Sequence, residues 1–115
     1  MVEVTQGDVW WAEMSQSVGS GPGYRRPVVV VQGNALNHSR IGTVVCVPLT
    51  SSTFWAAAPG NVLLSRTATG LPKDAVANAS QIVALDRSLL TDYVGRLCPK
   101  QLAQILNGVD IVLGK

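Results

Sequence analysis

The sequence predicts a single domain of mainly β structure, a small barrel against which a C-terminal amphipathic helix packs. Short runs of β-branched and aromatic residues are separated by Gly- and Pro-rich turns, and one apolar stripe recurs at helical spacing after Pro99. The chain has 115 residues, of which 47% are hydrophobic and 14% charged. This length and composition suffice for one core and exclude a disordered or coiled-coil chain. We therefore expect residues 1–115 to form one domain.

The first two strands are predicted on either side of a polar loop. Residues 9–14 follow a Gly7-Asp8 turn and are rich in Val and Trp, which predicts the first strand. Residues 15–23 contain Ser, Gly and Pro with almost no core-forming residue, which is typical of a functional surface loop. Residues 27–32 predict the second strand, and four consecutive valines indicate that both its faces are covered.

The rest of the chain predicts further short strands and the terminal helix. Residues 33–38 predict a turn or a single helical turn, and residues 43–49 a third strand whose Pro48 indicates an edge position or a bulge. Asp86 is a suitable N-cap for a short helix near residues 87–90. Shorter strands are predicted at residues 61–64, 75–77, 81–85 and 93–97. The helix begins at Pro99, and its stripe comprises Leu102, Ile105, Leu106, Val109, Val112 and Leu113.

Cysteine usage and hydropathy predict the compartment. Only Cys46 and Cys98 are present, so a disulfide scaffold is excluded and a reduced, cytoplasmic protein is expected. Cys98 precedes the helix, and we expect it to be a buried structural thiol rather than a reactive one. No secretory signal is visible and no apolar run approaches the roughly 20 residues of a membrane span, so we expect no membrane partner.

The net charge of +2 is distributed unevenly. Between Glu13 and Asp74 there are five basic residues and no acidic one, which gives +5, whereas four basic and seven acidic residues elsewhere give −3. This pattern suits an anionic ligand bound near the middle of the chain. A chance clustering of surface arginines explains the charge pattern equally well.

Several common catalytic constellations are missing from the sequence. The single His38 excludes a pair of histidines within one chain, and no Cys, His or Asp cluster has metal-ligand spacing. Neither common type of glycine-rich phosphate loop is present. We therefore expect neither a metal nor another cofactor.

Two polar groups at predicted strand ends remain. Arg25 and Arg26 precede the second strand, and Thr50, Ser51 and Ser52 follow the third. If these strands are antiparallel neighbours, a guanidinium and a hydroxyl lie side by side and can bind a phosphate. The alternatives are a solvated strand start and an ordinary turn.

Five stretches, in order along nearly the whole chain, resemble the MazF/PemK (Kid) family of bacterial toxins. They are GDVWWA at residues 7–12, GYRRPVVVV at 23–31, VPLTS at 47–51, PGNV at 59–62 and SQIVALD at 80–86. None is specific alone, but the ordered set is. The segment TATGLP at residues 67–72 resembles actinobacterial members most.

The resemblance implies an SH3-like barrel with appended helices, acting as a homodimeric, metal-independent endoribonuclease. Such enzymes cleave single-stranded RNA at short sequences, leave a 2′,3′-cyclic phosphate and a 5′-hydroxyl, and are inhibited by a cognate antitoxin. The family's catalytic arginine precedes the strand proline, which matches Arg26, and its catalytic Thr or Ser matches Thr50. Gln81 matches a position that contacts RNA in related enzymes.

We expect sequence selection to come from residues 15–23, 50–57 and 78–81. The candidate RNA-binding residues are Tyr24, Arg25, Asn34, Asn37, Ser51, Ser52, Asn78 and Gln81. Tyr24, Phe54 and Trp55 are candidates for base stacking, although contact with the dimer partner or the antitoxin fits Trp55 equally well. Structural capping explains Asn34 and Asn37 at least as well as base contact. Trp10 and Trp11 are expected in the core or the dimer interface rather than against substrate.

The residues do not identify a general base. Arg26 is effectively always protonated, so its expected role is charge stabilisation, and His38 of either subunit stays open as the base. Two alternative functions are a gyrase-inhibiting toxin of related fold, as in the CcdB toxins, and an SH3-like binding module. Arg26 and Thr50 favour the ribonuclease, and the acid-free stretch disfavours a peptide-binding groove, which is often acidic.

Overall fold

The computed structural model describes residues 2–14 and 25–115. Its strands are β1 (Asp8–Glu13), β2 (Arg25–Val30), β3 (Thr43–Thr50), β4 (Val62–Leu64), β5 (Ala75–Ala77), β6 (Val83–Asp86) and β7 (Leu90–Arg96). Its α-helices are α1 (Asn34–Asn37), α2 (Arg66–Thr69) and α3 (Pro99–Leu113), and 3₁₀ turns occupy Thr53–Ala57, Ala79–Gln81 and Arg87–Leu89. The predicted loop at residues 15–23 lies outside the described residues, as does Tyr24.

The strands form one antiparallel sheet in the order β4-β5-β3-β2-β1-β7, and β6 also pairs with β3. The sheet is not closed, and an antiparallel sheet of seven strands followed by a C-terminal helix confirms the predicted class of mainly β structure. β3 is the central strand of this sheet. It pairs with β2 on one side, and on the other side with β6 over residues 43–46 and with β5 over residues 49–50.

The expectation that Pro48 marks an edge or a bulge is wrong, because Pro48 lies within this central strand. Its carbonyl accepts a hydrogen bond from the backbone N–H of Asn78 at 2.9 Å, so its nitrogen also faces the side of β5 and β6. At that point β3 changes partner from β6 to β5, and no ladder bond needs an N–H there. The missing donor of proline therefore costs the sheet nothing.

Apolar residues cover both faces of the sheet, as the valine run predicts. Val28, Val29 and Val30 have no exposed surface. One face belongs to a cluster that includes Val29, Leu49 and two residues of α3, Ile105 and Val109. The opposite face belongs to a second cluster, comprising Val4, Trp10, Ala12, Met14, Val28, Val30, Val44, Cys46, Leu85 and Leu90.

Helix α3 begins at Pro99, as predicted, and packs closely against the turn before β4. A Cβ atom on Gly108 would lie 2.0 Å from the carbonyl oxygen of Gly60, so only glycine fits at this crossing. Gly60 itself has a φ of 84°, a conformation that favours glycine. The predicted stripe is buried at Ile105 and Val109, but its last residue, Leu113, is 60% exposed.

Several shorter elements depart from the sequence prediction. The short helix predicted near residues 87–90 is a 3₁₀ turn, and the Asp86 side chain caps it by accepting a hydrogen bond from the N–H of Ser88 at 2.9 Å. Helix α2 was not predicted; the Ser65 side chain caps it, and it ends at Gly70 in the left-handed region. The expectation of a buried Cys98 is wrong, since this thiol is exposed beside Gln101 where α3 begins. None of the helices within residues 2–14 and 25–115 is long and apolar enough to span a membrane.

Candidate functional site

The start of β2 and the end of β3 lie at the same end of the sheet. β2 and β3 are antiparallel neighbours, and their register pairs Val28 with Pro48. Arg26 precedes Val28 by two residues and Thr50 follows Pro48 by two, so both lie at this end of the sheet, beyond the last residue pair of the β2–β3 ladder. Arg26 pairs with Ala12 of β1, and Thr50 with Val76 of β5, so sheet pairing fixes both positions.

The Arg26 guanidinium has unused hydrogen-bonding capacity. The residue is half-buried, and its Nε is fully buried without a hydrogen-bond partner among the residues that the structure describes. A buried donor that loses its water partners costs roughly 1–3 kcal/mol. A bound anion at the exposed side of this guanidinium would offset part of that cost through charge-assisted hydrogen bonds.

Thr50 ends β3 with its hydroxyl already oriented by the following turn. Its Oγ1 accepts a hydrogen bond from the backbone N–H of Ser52 at 3.2 Å. A hydroxyl that accepts one hydrogen bond keeps its own hydrogen to donate. Ser51 and Ser52 are exposed next to it, so three hydroxyl groups lie at this end of the sheet.

Arg25 has a different environment from Arg26. Its Nε lies 3.3 Å from Glu13, and its terminal nitrogen donates a short hydrogen bond to Asp92. Its guanidinium carbon also lies 4.6 Å from the centroid of the Trp11 ring. Two carboxylates thus compensate this cation, whereas the sequence suggested a residue free to bind RNA.

A cleft of about 520 Å³ opens beside these residues, and we call it the Trp11 cleft. It is lined by Trp11, Arg25, Arg26, Pro27, Leu49, Ser51, Leu71, Pro72, Lys73, Asp74 and Ala75. Trp10 lies in the core as expected, but Trp11 points to the other face of β1, packs on the core cluster there and lines the cleft. The side-chain alternation along a strand was the signal that separates the two tryptophans.

Among the described residues, the charged groups around the cleft balance in number, with Arg25, Arg26 and Lys73 against Glu13, Asp92 and Asp74. Arg26 and Lys73 are cationic, and the one carboxylate besides the partners of Arg25 is Asp74. The Oδ1 of Asp74 accepts a hydrogen bond from the backbone N–H of Arg66 at 2.8 Å. Among the described parts of the chain, no group of three or more His, Cys, Asp or Glu residues is placed to hold a metal ion.

Asn61 joins the two 3₁₀ turns next to Thr50. Its side-chain NH₂ donates to the carbonyl of Trp55 at 3.0 Å, and its side-chain oxygen accepts from the N–H of Ala79 at 2.9 Å. The same NH₂ reaches the side-chain oxygen of Asn78 at 3.4 Å, and Asn78 in turn is bonded to β3 through Pro48. This role of Asn61 could not be predicted, because a single asparagine after a Pro-Gly turn carries no signal of a long-range bridge.

This bridge holds the predicted RNA-reading segments near the end of β3. Asn78 is half-buried, and Gln81 follows it in the second 3₁₀ turn. In the first turn, Phe54 is 79% exposed and Trp55 is 49% exposed. The two rings stand edge to face, with centroids 5.1 Å apart.

The structure separates Asn34, Asn37 and His38 from this site. All three follow the far end of β2, which lies about 13 Å along the strand from Arg26. Asn37 is 3% exposed, and its amide bonds to the backbone and side chain of Gln32 and to Asn34. The Asn34 oxygen also accepts from the N–H of Gln6 at 2.8 Å. A structural role, through hydrogen bonds within the chain rather than helix capping, therefore fits both asparagines, and His38 of the same chain does not share a site with Arg26.

Comparisons with known proteins agree with this fold and its sequence. The family described as PemK-like, MazF-like toxin of type II toxin-antitoxin system matches residues 5–113. Endoribonuclease MazF6 of Mycobacterium tuberculosis is 40% identical over 110 residues, which are 96% of each protein. Endoribonuclease EndoA of Bacillus subtilis is 30% identical over 96% of this chain and 94% of its own.

Solved structures give the same answer for the fold. An endoribonuclease in complex with its cognate antitoxin, from a mycobacterial species, superposes with a TM-score of 0.71 at 26% identity, covering 99% of this chain and 96% of that one. MazF from Deinococcus radiodurans superposes with a TM-score of 0.81 at 24% identity over the whole of both chains. The mycobacterial relatives confirm the predicted closeness to actinobacterial members. The chain therefore belongs to the PemK/MazF family of toxins from type II toxin–antitoxin systems.

Proposed function

We propose that this toxin is an endoribonuclease that cleaves single-stranded RNA at a short sequence and is inhibited by a cognate antitoxin. The observation that carries the proposal is that the antiparallel pairing of β2 and β3 brings Arg26 and Thr50 to the same end of the sheet, beside a cleft whose lining includes Arg26 and Lys73. Relatives named endoribonuclease, at 30–40% identity over nearly the whole chain, support it. We also propose that residues 1–115 act as one domain, in the cytoplasm.

The proposed reaction is an internal transfer of the phosphoryl group. The 2′-oxygen of the RNA attacks the adjacent phosphorus, the bond from phosphorus to the 5′-oxygen breaks, and a 2′,3′-cyclic phosphate and a 5′-hydroxyl result. One proton leaves the 2′-hydroxyl and one is delivered to the 5′-oxygen. Negative charge builds up on the non-bridging oxygens during this step, and stabilising that charge is the largest contribution a protein can make to the rate.

We assign this stabilisation of the phosphate to Arg26 and Thr50. The permanently charged Arg26 guanidinium stabilises the non-bridging oxygens through charge-assisted hydrogen bonds. The Thr50 hydroxyl donates a hydrogen bond to the scissile phosphate while Ser52 holds its orientation. This chemistry draws on side chains alone, so we propose cleavage without a metal ion.

The remaining RNA contacts are assigned by position. Ser51, Ser52, Asn78 and Gln81 lie in the turns around Thr50, and we propose that they contact the nucleotides next to the cut. Tyr24, which directly precedes β2, is kept in this set on the sequence alone. Arg25 is left out because Glu13 and Asp92 compensate its charge, and Asn34 and Asn37 are left out because they follow the far end of β2.

Protein partners also belong to the proposal. A mycobacterial neighbour was solved with its cognate antitoxin, which supports an antitoxin for this chain. Leu63 on β4 and Ile111 and Leu113 on α3 are at least half exposed, which is unusual for large apolar side chains. We propose a homodimer, and these residues offer apolar surface for a protein contact.

The test is incubation of the purified protein with a long unstructured RNA in the presence of EDTA, followed by mapping of the fragment ends. We expect discrete cuts with 5′-hydroxyl ends. The variants Arg26→Ala and Thr50→Ala should each lower the rate about 100- to 1000-fold. Arg40→Ala is the matched control, because Arg40 is an exposed arginine of the same acid-free stretch and lies after α1, far from the cleft.

Melting temperatures of all three variants distinguish a catalytic loss from unfolding. Loss of cleavage that merely follows a drop in melting temperature would remove the assignment of Arg26 and Thr50. RNA that stays intact across varied sequences would overturn the ribonuclease itself, and DNA gyrase supercoiling would then be the next assay.

A further inference from the structure

We propose that the Trp11 cleft is a nucleobase-binding subsite next to the cleavage site, with Trp11 as the ring against which one base of the RNA stacks. This inference rests on the proposed ribonuclease function and extends it to a residue that determines specificity. Trp11 comes from β1, which the sequence analysis assigned to the core or the dimer interface.

The shape of the cleft suits a flat apolar ligand. Its volume of about 520 Å³ lies within the range of small-molecule sites. Three of its lining residues, Trp11, Pro27 and Pro72, have rigid rings, and Leu49 and Leu71 are buried beneath them. A base inserted here loses contact with water on its faces and stacks on a ring that the fold already holds.

Arg25 holds the Trp11 ring before any ligand arrives. Its guanidinium lies over that ring, 4.6 Å from the centroid, and is anchored to Glu13 on β1 and to Asp92 on β7. An aromatic ring fixed on one face by a stacked guanidinium has little rotamer freedom left to lose on binding. Arg25 is therefore a positioning residue, and Trp11 is the residue that touches the base.

Two basic residues of the lining give the phosphates of an RNA a possible contact. Arg26 and Lys73 lie at its border, and the Asp74 carboxylate already accepts from the backbone of Arg66. A base in the cleft would leave its phosphates at these cations. The cleft also includes Ser51, next to Thr50, so a bound base belongs to a nucleotide adjoining the scissile phosphate.

The test couples a change in the protein to the removal of a single base. Short RNA substrates around a mapped cleavage site are prepared with an abasic ribose at each position in turn, which keeps every phosphate and 2′-hydroxyl. In the wild-type protein, loss of the stacked base should lower kcat/KM roughly 5- to 150-fold. In Trp11→Leu the intact substrate should already show this loss, and removal of the same base should cost nothing more.

Two further variants separate stacking from structure. Trp11→Phe keeps a ring and should restore most of the coupling to that base. Tyr93→Leu removes a half-exposed aromatic ring of β7 outside the cleft. In this variant, each abasic substitution should lower kcat/KM by the same factor as it does in the wild-type protein. Melting curves verify that each variant is folded under the assay conditions.

Each outcome decides the proposal. If the loss in kcat/KM from Trp11→Leu is independent of the loss from every abasic position, the subsite is refuted. Cleavage of intact RNA by the wild-type protein would still support the proposed function. Additive losses together with weakened binding of the cognate antitoxin would assign the cleft to a peptide instead. A wild-type protein that cuts no RNA refutes the proposed function and this subsite together.

Discussion

The contact between Gly108 of α3 and Gly60 makes Gly108→Ala a stringent test of the packing. Alanine is the better helix former and would by itself stabilise the helix by about 0.8–1.0 kcal/mol. Its Cβ, however, would lie 2.0 Å from the Gly60 carbonyl oxygen and 3.0 Å from the carbonyl carbon. Since favourable contacts begin near about 3.5 Å, the helix and the turn must separate by at least about 1 Å.

The surroundings make this separation costly. Gly60 has a φ of 84° and precedes Asn61, which bonds to both neighbouring 3₁₀ turns, so the turn cannot move alone. Moving α3 instead loosens Ile105 and Val109, which are buried in the core. Overpacking of this kind costs about 1–3 kcal/mol and often more when backbone is the obstacle. We expect a net loss of about 1–2 kcal/mol, which corresponds to a melting temperature lower by roughly 4–12 °C.

Urea denaturation followed by circular dichroism, together with calorimetry, measures this loss. Asn107→Ala is the matched control, because Asn107 is the preceding, exposed residue of the same helix. It should stabilise the protein by a few tenths of a kcal/mol through helix propensity. A Gly108→Ala protein as stable as wild type, or more stable, would refute the close crossing of helix and turn.

Three further predictions concern Asp8 and the two cysteines. Asp8→Ala removes a 2%-exposed carboxylate that accepts hydrogen bonds from Arg96 at 2.8 Å and from Trp10 at 3.3 Å. It should lower the free energy of unfolding by about 2–3 kcal/mol, as urea denaturation would measure, and an unchanged midpoint would contradict this. A thiol reagent should label Cys98 at once and Cys46 only after unfolding, because Cys98 is exposed and Cys46 is not; two fast thiols would refute this burial. Burial raises the pKa of Cys46 from 9.0 to about 12, so the folded state holds that proton more tightly than the unfolded state does. The free energy of unfolding should therefore fall above about pH 9 by up to about 1.4 kcal/mol per pH unit. Urea denaturation at pH 8, 9 and 10 measures this slope, and Cys46→Ala should lack it.

Much of the sheet could be predicted because its local signals are strong. Four valines in a row have few alternatives to a strand covered on both faces, and Val28 to Val30 are fully buried. Pro99 and the stripe after it located α3 for the same reason. Placing Arg26 and Thr50 at one end of the sheet needed one more assumption, that β2 and β3 are antiparallel neighbours, which the structure confirms.

The departures arise where long-range partners decide. Pro48 is tolerated in a central strand only because β3 changes partner there, which no local pattern reveals. Arg25 and Arg26 look alike in sequence, but Glu13 and Asp92 come from two other strands and neutralise only Arg25. Asn37 is buried by hydrogen bonds to Gln32 that depend on how the chain turns after β2.

The bridge made by Asn61 has a consequence for how such toxins diversify. The turn Thr53–Ala57 places no side chain in the core, yet its backbone is held by the bond from Asn61 to the Trp55 carbonyl. Mutations at the tip of this turn therefore escape the selection for folding that restrains the rest of the chain. A lineage can exchange Phe54 and its neighbours freely, and so sample new surface chemistry beside Thr50 on an inherited scaffold.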